Sequence, residues 1–511
     1  MQPDSTRLLS RERVGVITGA VALTSMLAFE ALAVAVAMPA VATALDGLGG
    51  YALAFGGPMA FSVLGMVMAG QSADRHGPLR ATVLGLTLFT AGLLLAGLAP
   101  SMGWLQLGRF LQGLGGGMLA VTLYVGTGQL VPAALHPRLF SLFAAAWVLP
   151  GLVGPSLAAV LVQHVGWRSV FLIVAVAAPL TAFVLLPAFA RLPVLACPGR
   201  SARAERVKLL WAAVATGGAL LLHGAVQTAG HGPGPVSGHL TGPQSGQVSS
   251  QASAQSSAQA SAHLSAHMAV GAPVQGAGPS SAWGLRAAPV GVDMLGVGLS
   301  LLGGLLALLA ARRLLPAGTL RAAPGLPAVI ALRALMAASF ATAEVFLPLF
   351  LTRDAGWSLA QAGMALSVGA VFWSIGSALQ TRLVMPQRRR QGLILGFCLQ
   401  GLGMVLVTLV LWLGWPGALL VAGWALAGFG VGLGFPMLSV LTLALSAPGA
   451  SGQNSSALQL CDALTCSAAL ALAGGLFAAG GSFGPTLVLG LAVALAALGA
   501  LLGHRAFAVS A

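Results

Sequence analysis

The chain has 511 residues, of which 57% are hydrophobic and only 7% are charged. Soluble domains carry about 25% charged residues, so this composition excludes a water-exposed globular surface over most of the chain. The formal net charge of +14 does not indicate a nucleic-acid partner either, because the basic residues lie between apolar runs and not on one polar face.

Fourteen apolar runs are long enough to suggest membrane crossing, which requires ~20 residues in a helix. Backbone amides in hydrocarbon must be bonded within their own segment, and the alternation typical of a β-barrel is not present, so we expect helices. In chain order the predicted spans are 14–41, 51–70, 79–99, 103–130, 138–163, 168–190, 207–228, 291–315, 325–352, 357–380, 391–413, 416–446, 455–480 and 483–504. The sequence therefore predicts an all-α polytopic membrane protein.

The basic residues orient these spans. With the N-terminus inside, nineteen of the 24 Lys and Arg residues fall in cytoplasmic segments, while Arg168, Arg286 and Arg353 fall outside. The remaining two, Arg109 and Arg333, lie within spans. Cytoplasmic loops are enriched in Lys and Arg, so we expect both termini to be cytoplasmic. The first run is too long for a signal peptide and is expected to be a retained helix.

The segment 229–290 differs from the rest, being rich in Ser, Gln, Ala, Gly, Pro and His with no acidic residue. Such a composition predicts a disordered external loop. Its four histidines leave metal binding as an alternative; they are His231, His239, His263 and His267. None of the four cysteines falls in a segment predicted to be external; they are Cys197, Cys398, Cys461 and Cys466. We therefore expect the cysteines to form neither disulfides nor a metal site.

A weak internal repeat surrounds this insertion. The stretch 70–74 is aligned with 376–380 at the end of the second span of each half, and 109–117 is aligned with 424–432 in the fourth. Duplicated halves are typical of transporters that work by alternating access. The predicted organisation is a six-helix bundle at 1–190, a linker with two inserted helices at 191–324, and a second six-helix bundle at 325–511.

The loop after the second span has the most specific motif, formed by Gly70, Asp74, Arg75, Gly77 and Arg80. Gly70 is expected to allow close backbone approach, and Gly77 to make the turn. Asp74 is expected to accept from a helix N-terminus or an arginine, and the two arginines to bind acidic groups or lipid headgroups. A plain positively charged cytoplasmic turn is the alternative.

This loop resembles the signature of the major facilitator superfamily, G-x-x-x-D-R-x-G-R-[RK], although Pro78 and Leu79 depart from it. The resemblance implies a major facilitator fold of two six-helix bundles, with this loop gating the movement between them. Fourteen spans, two of them inserted between the halves, are similar to the fourteen-helix drug:proton antiporter branch. What the resemblance implies is a monomeric transporter in the plasma membrane that needs no cofactor and uses a proton gradient.

Two further motifs resemble that superfamily. Arg109 lies in a fourth-helix motif that the family links to proton coupling. Pro150, Gly151, Gly154 and Pro155 partly match its antiporter motif. Glycine and proline there would thin and kink the helix so that a neighbour closes on it. An ordinary kinked membrane helix is the alternative.

Acidic residues within spans predict the coupling sites, because charge inside a membrane is costly and usually functional. These are Glu30, Glu344 and Asp462. Burial raises the pKa of a carboxyl group and a nearby arginine lowers it, so alternation between the two settings would load and release a proton. Glu30 lies ~16 Å and Arg109 ~9 Å from the outer ends of their helices, a difference that an arginine side chain can bridge. Glu344 is expected across the cavity from this pair, or else to settle with Arg333 against polar neighbours.

Four aromatic residues are weaker candidates for lining a substrate cavity: Trp147, Phe372, Trp373 and Trp424. The function expected is proton-coupled export of small amphipathic or cationic organic compounds, with no catalytic residues and no metal. Import or symport of a specific metabolite, or export of a lipid or peptide-like product, remains open. A channel or membrane enzyme is disfavoured because no repeated filter, clustered acids or G-x-x-x-x-G-K-[ST] nucleotide loop occurs.

Overall fold

Long apolar runs fold as helices throughout the computed structural model, which describes residues 14–132, 135, 139, 142, 143, 145–192, 202–229, 294–383, 385–447 and 451–507. Every regular element within these residues is helical. Two compact units divide the chain, and the unit that comprises 231–290 lies outside the described residues, as does the predicted external loop with its histidines.

The described part contains fifteen α-helices. They are α1 Val14–Ala44, α2 Tyr51–His76, α3 Pro78–Gly97, α4 Met102–Leu130, α5 Val148–His164, α6 Arg168–Phe183, α7 Leu186–Ala190, α8 Ala202–Ala229, α9 Met294–Leu314, α10 Leu326–Arg353, α11 Leu359–Gln380, α12 Pro386–Leu413, α13 Gly417–Ala444, α14 Ser451–Ala479 and α15 Gly484–Leu502. We refer to α1–α6 as the first half, α8 and α9 as the inserted helices, and α10–α15 as the second half.

Twelve described helices are long and apolar enough to cross a membrane. The predicted fifth and sixth spans correspond to α5 and α6, which are apolar but only 17 and 16 residues long. Residues just before α5 are only partly described, and a turn at 184–185 separates α6 from the short α7. A multi-pass membrane protein is therefore established, and the count of fourteen spans stays a prediction.

The two halves are built around the same glycine contacts. A Cβ added at Gly113 of α4 would lie 2.2 Å from the Pro58 carbonyl oxygen of α2. One added at Gly428 of α13 would lie 2.3 Å from the Gly369 carbonyl oxygen of α11. Helices approach this closely only where the side chain is missing. The predicted repeat aligns Gly113 with Gly428, and these contacts confirm that alignment.

The same contacts correct the alignment of the second helix of each half. A Cβ at Gly65 would lie 2.1 Å from the Leu114 carbonyl oxygen, and one at Gly376 would lie 2.5 Å from the Phe429 carbonyl oxygen. The counterpart of Gly376 is therefore Gly65 and not Gly70, which lies five residues later. Nothing lies within 4 Å of a Cβ added at Gly70, so the close backbone approach expected there is wrong. One glycine beside polar residues is too weak a pattern to fix the register of a helix.

Replacing Gly428 with alanine is expected to lower the free energy of unfolding by about 1–3 kcal/mol, because the methyl group would overlap the Gly369 carbonyl. The matched change Gly70→Ala adds the same group in open space, where we expect a neutral or slightly stabilising effect because alanine favours helices. Thermal unfolding in detergent compares the two variants. Equal melting temperatures would contradict the packing.

Two seams join the halves, with α2 against α14 and α5 against α11. At the start of α2, the Tyr51 hydroxyl donates to the Val345 carbonyl oxygen of α10 over 2.9 Å, and its ring lies 5.5 Å from that of Phe346. Inserted helix α8 packs on both α2 and α14, and its Thr216 hydroxyl donates to the Ala60 carbonyl oxygen over 2.9 Å. The α2–α14 seam is thus covered by a helix that belongs to neither half.

Candidate functional site

The buried polar centre of the first half is an ion pair between α1 and α4. Arg109 Nη1 lies 2.5 Å from Glu30 Oε1, and both side chains are less than a tenth exposed. The same guanidinium donates to Gln112 Oε1 over 2.7 Å and, through Nε, to the Ala54 carbonyl oxygen over 3.0 Å. The depths of Glu30 and Arg109 along their helices predicted this contact. The guanidinium ties α1, α2 and α4 together at one point.

The partners of this pair are unequal. Arg109 donates to three acceptors, whereas Glu30 accepts from one donor, Arg109, among the described residues. Two charges removed from water are stable only when extra hydrogen bonds offset the lost hydration. Arg109 would therefore keep two acceptors if its contact with Glu30 were lost.

The corresponding place in the second half is uncharged. Trp424 occupies the position aligned with Arg109, and its buried ring stacks on Phe340 with centroids 4.8 Å apart. Beside it, the buried Ser339 hydroxyl accepts from Gln400 Nε2 over 3.0 Å. The two halves share their packing but differ at their centres, where one has an ion pair and the other an aromatic stack.

A second ion pair lies in the second half. Arg333 Nε of α10 is 3.1 Å from Asp462 Oδ2 of α14, although the N–H is not aimed for a hydrogen bond. Arg333 Nη1 donates to Ser439 Oγ over 2.9 Å, and its guanidinium carbon lies 4.3 Å from the ring centre of Phe435. Asp462 therefore has a partner that the sequence did not assign to it.

Glu344 stands apart from both pairs. Among the described residues it makes no hydrogen bond or ion pair. It lies eleven residues after Arg333 on the same face of α10, within electrostatic reach of the Cys466 thiol of α14. Neither Glu30 nor Arg109 contacts it, so its partnership with them stays a prediction.

The 70–80 loop turns at Gly77, whose φ of 78° lies in the left-handed region that favours glycine, and Pro78 begins α3. Just before the turn, Arg75 forms an ion pair with Glu205 in the first turn of α8. Gln71 Nε2 also donates to the Glu205 carbonyl oxygen over 2.7 Å. This loop is therefore attached to an inserted helix.

A double-mutant cycle of Arg75→Gln and Glu205→Gln is expected to give a coupling energy of about 1 kcal/mol in detergent unfolding. Glu205 is nearly buried, but Arg75 is half exposed, and solvent screening keeps the value small. Arg80 is exposed in the same loop and serves as the matched control. An equal coupling between Arg80→Gln and Glu205→Gln would show a general charge effect and contradict a specific contact.

The glycine–proline run of α5 lies on a seam between the halves. Pro150, Gly151, Gly154 and Pro155 are all buried. A Cβ at Gly151 would come within 3.0 Å of an α11 side chain, and one at Gly363 of α11 would lie 2.7 Å from the Pro155 carbonyl oxygen. Small residues here set the spacing between α5 and α11.

The predicted aromatic candidates separate into two groups. Trp373 of α11 joins the aromatic centre of the second half, with its ring 5.4 Å from Phe340 and 5.7 Å from Phe435. Trp147 and Phe372 are 48% and 39% exposed and lie outside that group. Trp373 and Trp424 thus both belong to one aromatic cluster, in which Trp373 contacts Phe435 beside Arg333.

Other ligating side chains do not form a cluster. No group of three His, Cys, Asp or Glu residues with metal-binding geometry occurs in the described part of the chain. His223 of α8 is buried, its ring packs on Gly56 of α2, and its Nε2 has no hydrogen-bond partner within the described part of the chain. The two ion pairs therefore remain the main candidates for chemistry.

Comparison with known proteins decides the family. The sequence profile of the Major Facilitator Superfamily matches residues 18–470, which include the inserted helices and most of both halves. The chain belongs to the Major Facilitator Superfamily. It is accordingly a multi-pass membrane transporter and not an enzyme.

Relatives within the superfamily include drug transporters. Multidrug resistance protein 3 of Bacillus subtilis is 30% identical over 148 residues, which cover 29% of each chain. Multidrug resistance protein Stp of Mycobacterium tuberculosis is 33% identical over 151 residues, which cover 29% of this chain and 28% of that one. The aligned region thus spans less than a third of either relative.

Solved structures of other superfamily transporters share the fold. An auto-inhibited POT family peptide transporter matches with a TM-score of 0.62 at 15% identity, over 98% of both chains. A D-xylose-proton symporter matches with a TM-score of 0.59 at 12% identity, over 96% of this chain and 97% of that one. At such low identity the likeness shows the common fold alone.

Three partners in these sites were not predicted. Gln112 could have been found, because it lies one helical turn after Arg109 and faces the same way. Arg333 was recognised as a charge within a span, but its pairing with a helix 129 residues later has no local signal. Glu205 is the first-turn acid of an inserted helix, a feature that marks a helix start but names no partner.

Proposed function

We propose that this Major Facilitator Superfamily member exports small amphipathic or cationic organic compounds in exchange for protons. The observation that carries the proposal is the buried pair of Glu30 and Arg109, in which the carboxylate has one donor and the guanidinium has three acceptors. Intramembrane acids of this kind commonly serve ion and proton pathways. Two relatives named as multidrug resistance proteins support the substrate class.

The proposed cycle couples the charge on the Glu30 carboxylate to binding of the substrate. A proton from the outside neutralises Glu30, and the bonds from Arg109 to Gln112 and Ala54 keep the guanidinium in place. Arrival of a cationic compound from the cytoplasm favours the charged carboxylate and expels the proton. Glu344 and Asp462 are proposed as further acids in this coupling.

Alternating access is proposed to occur by rocking of the halves along the α2–α14 and α5–α11 seams. Pro150, Gly151, Gly154 and Pro155 would permit sliding at the second seam. The loop with Gly70, Asp74, Arg75, Gly77 and Arg80 would gate the first. We further propose a monomer in the plasma membrane with cytoplasmic termini, fourteen spans that include α5 and α6, and domains bounded at 190 and 325.

Reconstitution in liposomes tests this proposal. With an acidic lumen and the membrane potential clamped, an antiporter should accumulate ethidium or tetraphenylphosphonium inside as protons leave. Both compounds are permanent cations, so trapping by protonation cannot explain their accumulation. Collapse of the pH gradient should abolish the accumulation. Uptake that requires an acidic exterior would favour a symporter, and equilibration without any gradient effect would favour a facilitator; either result would overturn the proposal.

A further inference from the structure

The surroundings of Arg333 have the composition of a site for an organic cation. Its guanidinium lies 3.1 Å from a carboxylate oxygen of Asp462, bonds to the Ser439 hydroxyl over 2.9 Å, and lies 4.3 Å from the ring centre of Phe435. A carboxylate, a hydroxyl acceptor and an aromatic face are the three groups that attract ammonium and other organic cations. In this structure the occupant is the side chain of Arg333 itself.

Apolar rings extend from this point in a continuous row across the second half. Phe435 lies 5.7 Å from Trp373, Trp373 lies 5.4 Å from Phe340, and Phe340 stacks on Trp424 at 4.8 Å, all between ring centroids. We call these four residues the aromatic row. Phe435 and Trp373, the partly exposed members of the row, offer aromatic faces to an apolar compound whose positive charge lies at Asp462, while Phe340 and Trp424 are buried behind them.

The hold on Arg333 is incomplete. Among the described residues Asp462 Oδ1 is buried without a hydrogen-bond partner, and the contact to Oδ2 is an ion pair without hydrogen-bond alignment. The side chains of Arg333 and Asp462 are 15% and 16% exposed, so the site is not sealed. Ala334 and Cys461, which adjoin Arg333 and Asp462 in the chain, belong to one buried cluster with Val63 of α2, so the site lies beside the first half.

We propose that Arg333 is a resident cation that occupies the substrate's charge site and exchanges with the positive group of the substrate at Asp462. This inference rests on the proposed function only in that the substrate is a cation. Arg333 thereby sets specificity, since a compound must outcompete a guanidinium over an aromatic ring to enter. An anion would instead be attracted to Arg333 and repelled once that residue is removed.

The competing interpretation is a structural pair that merely holds α10 to α14. It predicts the opposite change in cation affinity when Arg333 is removed. Loss of either member of a structural pair would loosen the site and weaken every ligand. In the exchange interpretation, loss of Arg333 leaves Asp462 with an uncompensated charge, which a bound cation neutralises. The two interpretations are thus separated by the direction of a binding change.

Binding of tetraphenylphosphonium and of tetraphenylborate to the purified protein in detergent tests this inference, because these ions share a shape and differ in sign. Arg333→Gln should bind the cation roughly tenfold more tightly and the anion more weakly, while Asp462→Asn should bind the cation roughly tenfold more weakly. Unchanged or weaker cation binding by Arg333→Gln would overturn the inference.

Two further measurements keep the test decisive. Should Arg333→Gln fail to fold, Arg333→Lys retains the charge but loses the planar fork and its stacking, and it should still bind the cation several-fold more tightly than the natural protein. Weaker cation binding by Arg333→Lys would also overturn the exchange. Because binding in detergent needs no proton gradient, failure of driven uptake in liposomes would count against the proposed antiport and not against this inference.

Discussion

Glutamine at position 30 is expected to reduce pH-driven accumulation of tetraphenylphosphonium to the level of protein-free liposomes. The amide keeps the size of the carboxyl group and can still accept from Arg109, which also retains Gln112 and the Ala54 carbonyl. The fold should therefore persist while the main group proposed to carry the proton is lost. Measurement of uptake with and without a pH gradient separates driven transport from simple exchange.

The control is Asp354→Asn, which removes another carboxylate beside an arginine, Arg353, but at the exposed end of α10. That variant should retain gradient-driven accumulation. Full proton-driven transport by Glu30→Gln would remove the proposed role of Glu30. Equal loss in both variants would show that removal of any carboxylate beside an arginine disables the transporter.

Removal of Arg109 is expected to have a larger effect on stability than removal of Glu30. Arg109→Gln leaves the Glu30 carboxylate buried with no cation beside it, and loss of one partner of a buried pair costs about 3–5 kcal/mol. The double change Glu30→Gln/Arg109→Gln removes both charges and should recover most of that stability, but no driven transport. Detergent unfolding and liposome uptake of the three variants measure the two effects separately.

A stable Arg109→Gln protein with normal transport would contradict the pairing and the coupling together. A double variant as unstable as Arg109→Gln would indicate that the guanidinium acts through its bonds to Gln112 and Ala54 rather than through its charge. In that case the site would hold α2 and α4 together and carry no proton function.

Hydrophobic periodicity and depth along helices explain most of what the sequence predicts correctly. Twelve long helices coincide with apolar runs, because length in hydrocarbon is set by the bilayer. The contact of Glu30 with Arg109 follows from helix rise alone, since two intramembrane charges at bridgeable depths in neighbouring helices lower their energy by pairing.

Packing partners between distant helices could not be predicted in the same way. The predicted alignment of the second helix of each half was wrong. The correct alignment depends on Gly376 packing against the Phe429 carbonyl of a neighbouring helix, and no local sequence pattern contains that contact. Arg333 was placed in a span, but which of the acids it meets depends on how α10 and α14 pack. Tyr51 likewise gives no sign in the sequence that it bonds to the backbone of α10.

Comparison of the two halves suggests a division of labour on a common scaffold. The same glycine contacts place Arg109 and Trp424 at equivalent points, yet one meets a carboxylate and the other an aromatic ring. We expect proton exchange in the first half and substrate contacts in the second. Coupling between them then requires the seams to transmit movement from one centre to the other.

Proton release on substrate binding tests the central claim most directly. In weakly buffered detergent solution, at a pH at which Glu30 is protonated before the cation binds, addition of tetraphenylphosphonium to the purified protein should release about one proton per bound cation, because linked binding of two ligands is reciprocal. Glu30→Gln should bind the cation and release none. Equal release from both proteins, or binding without release from the natural protein, would contradict exchange of a proton for substrate at Glu30.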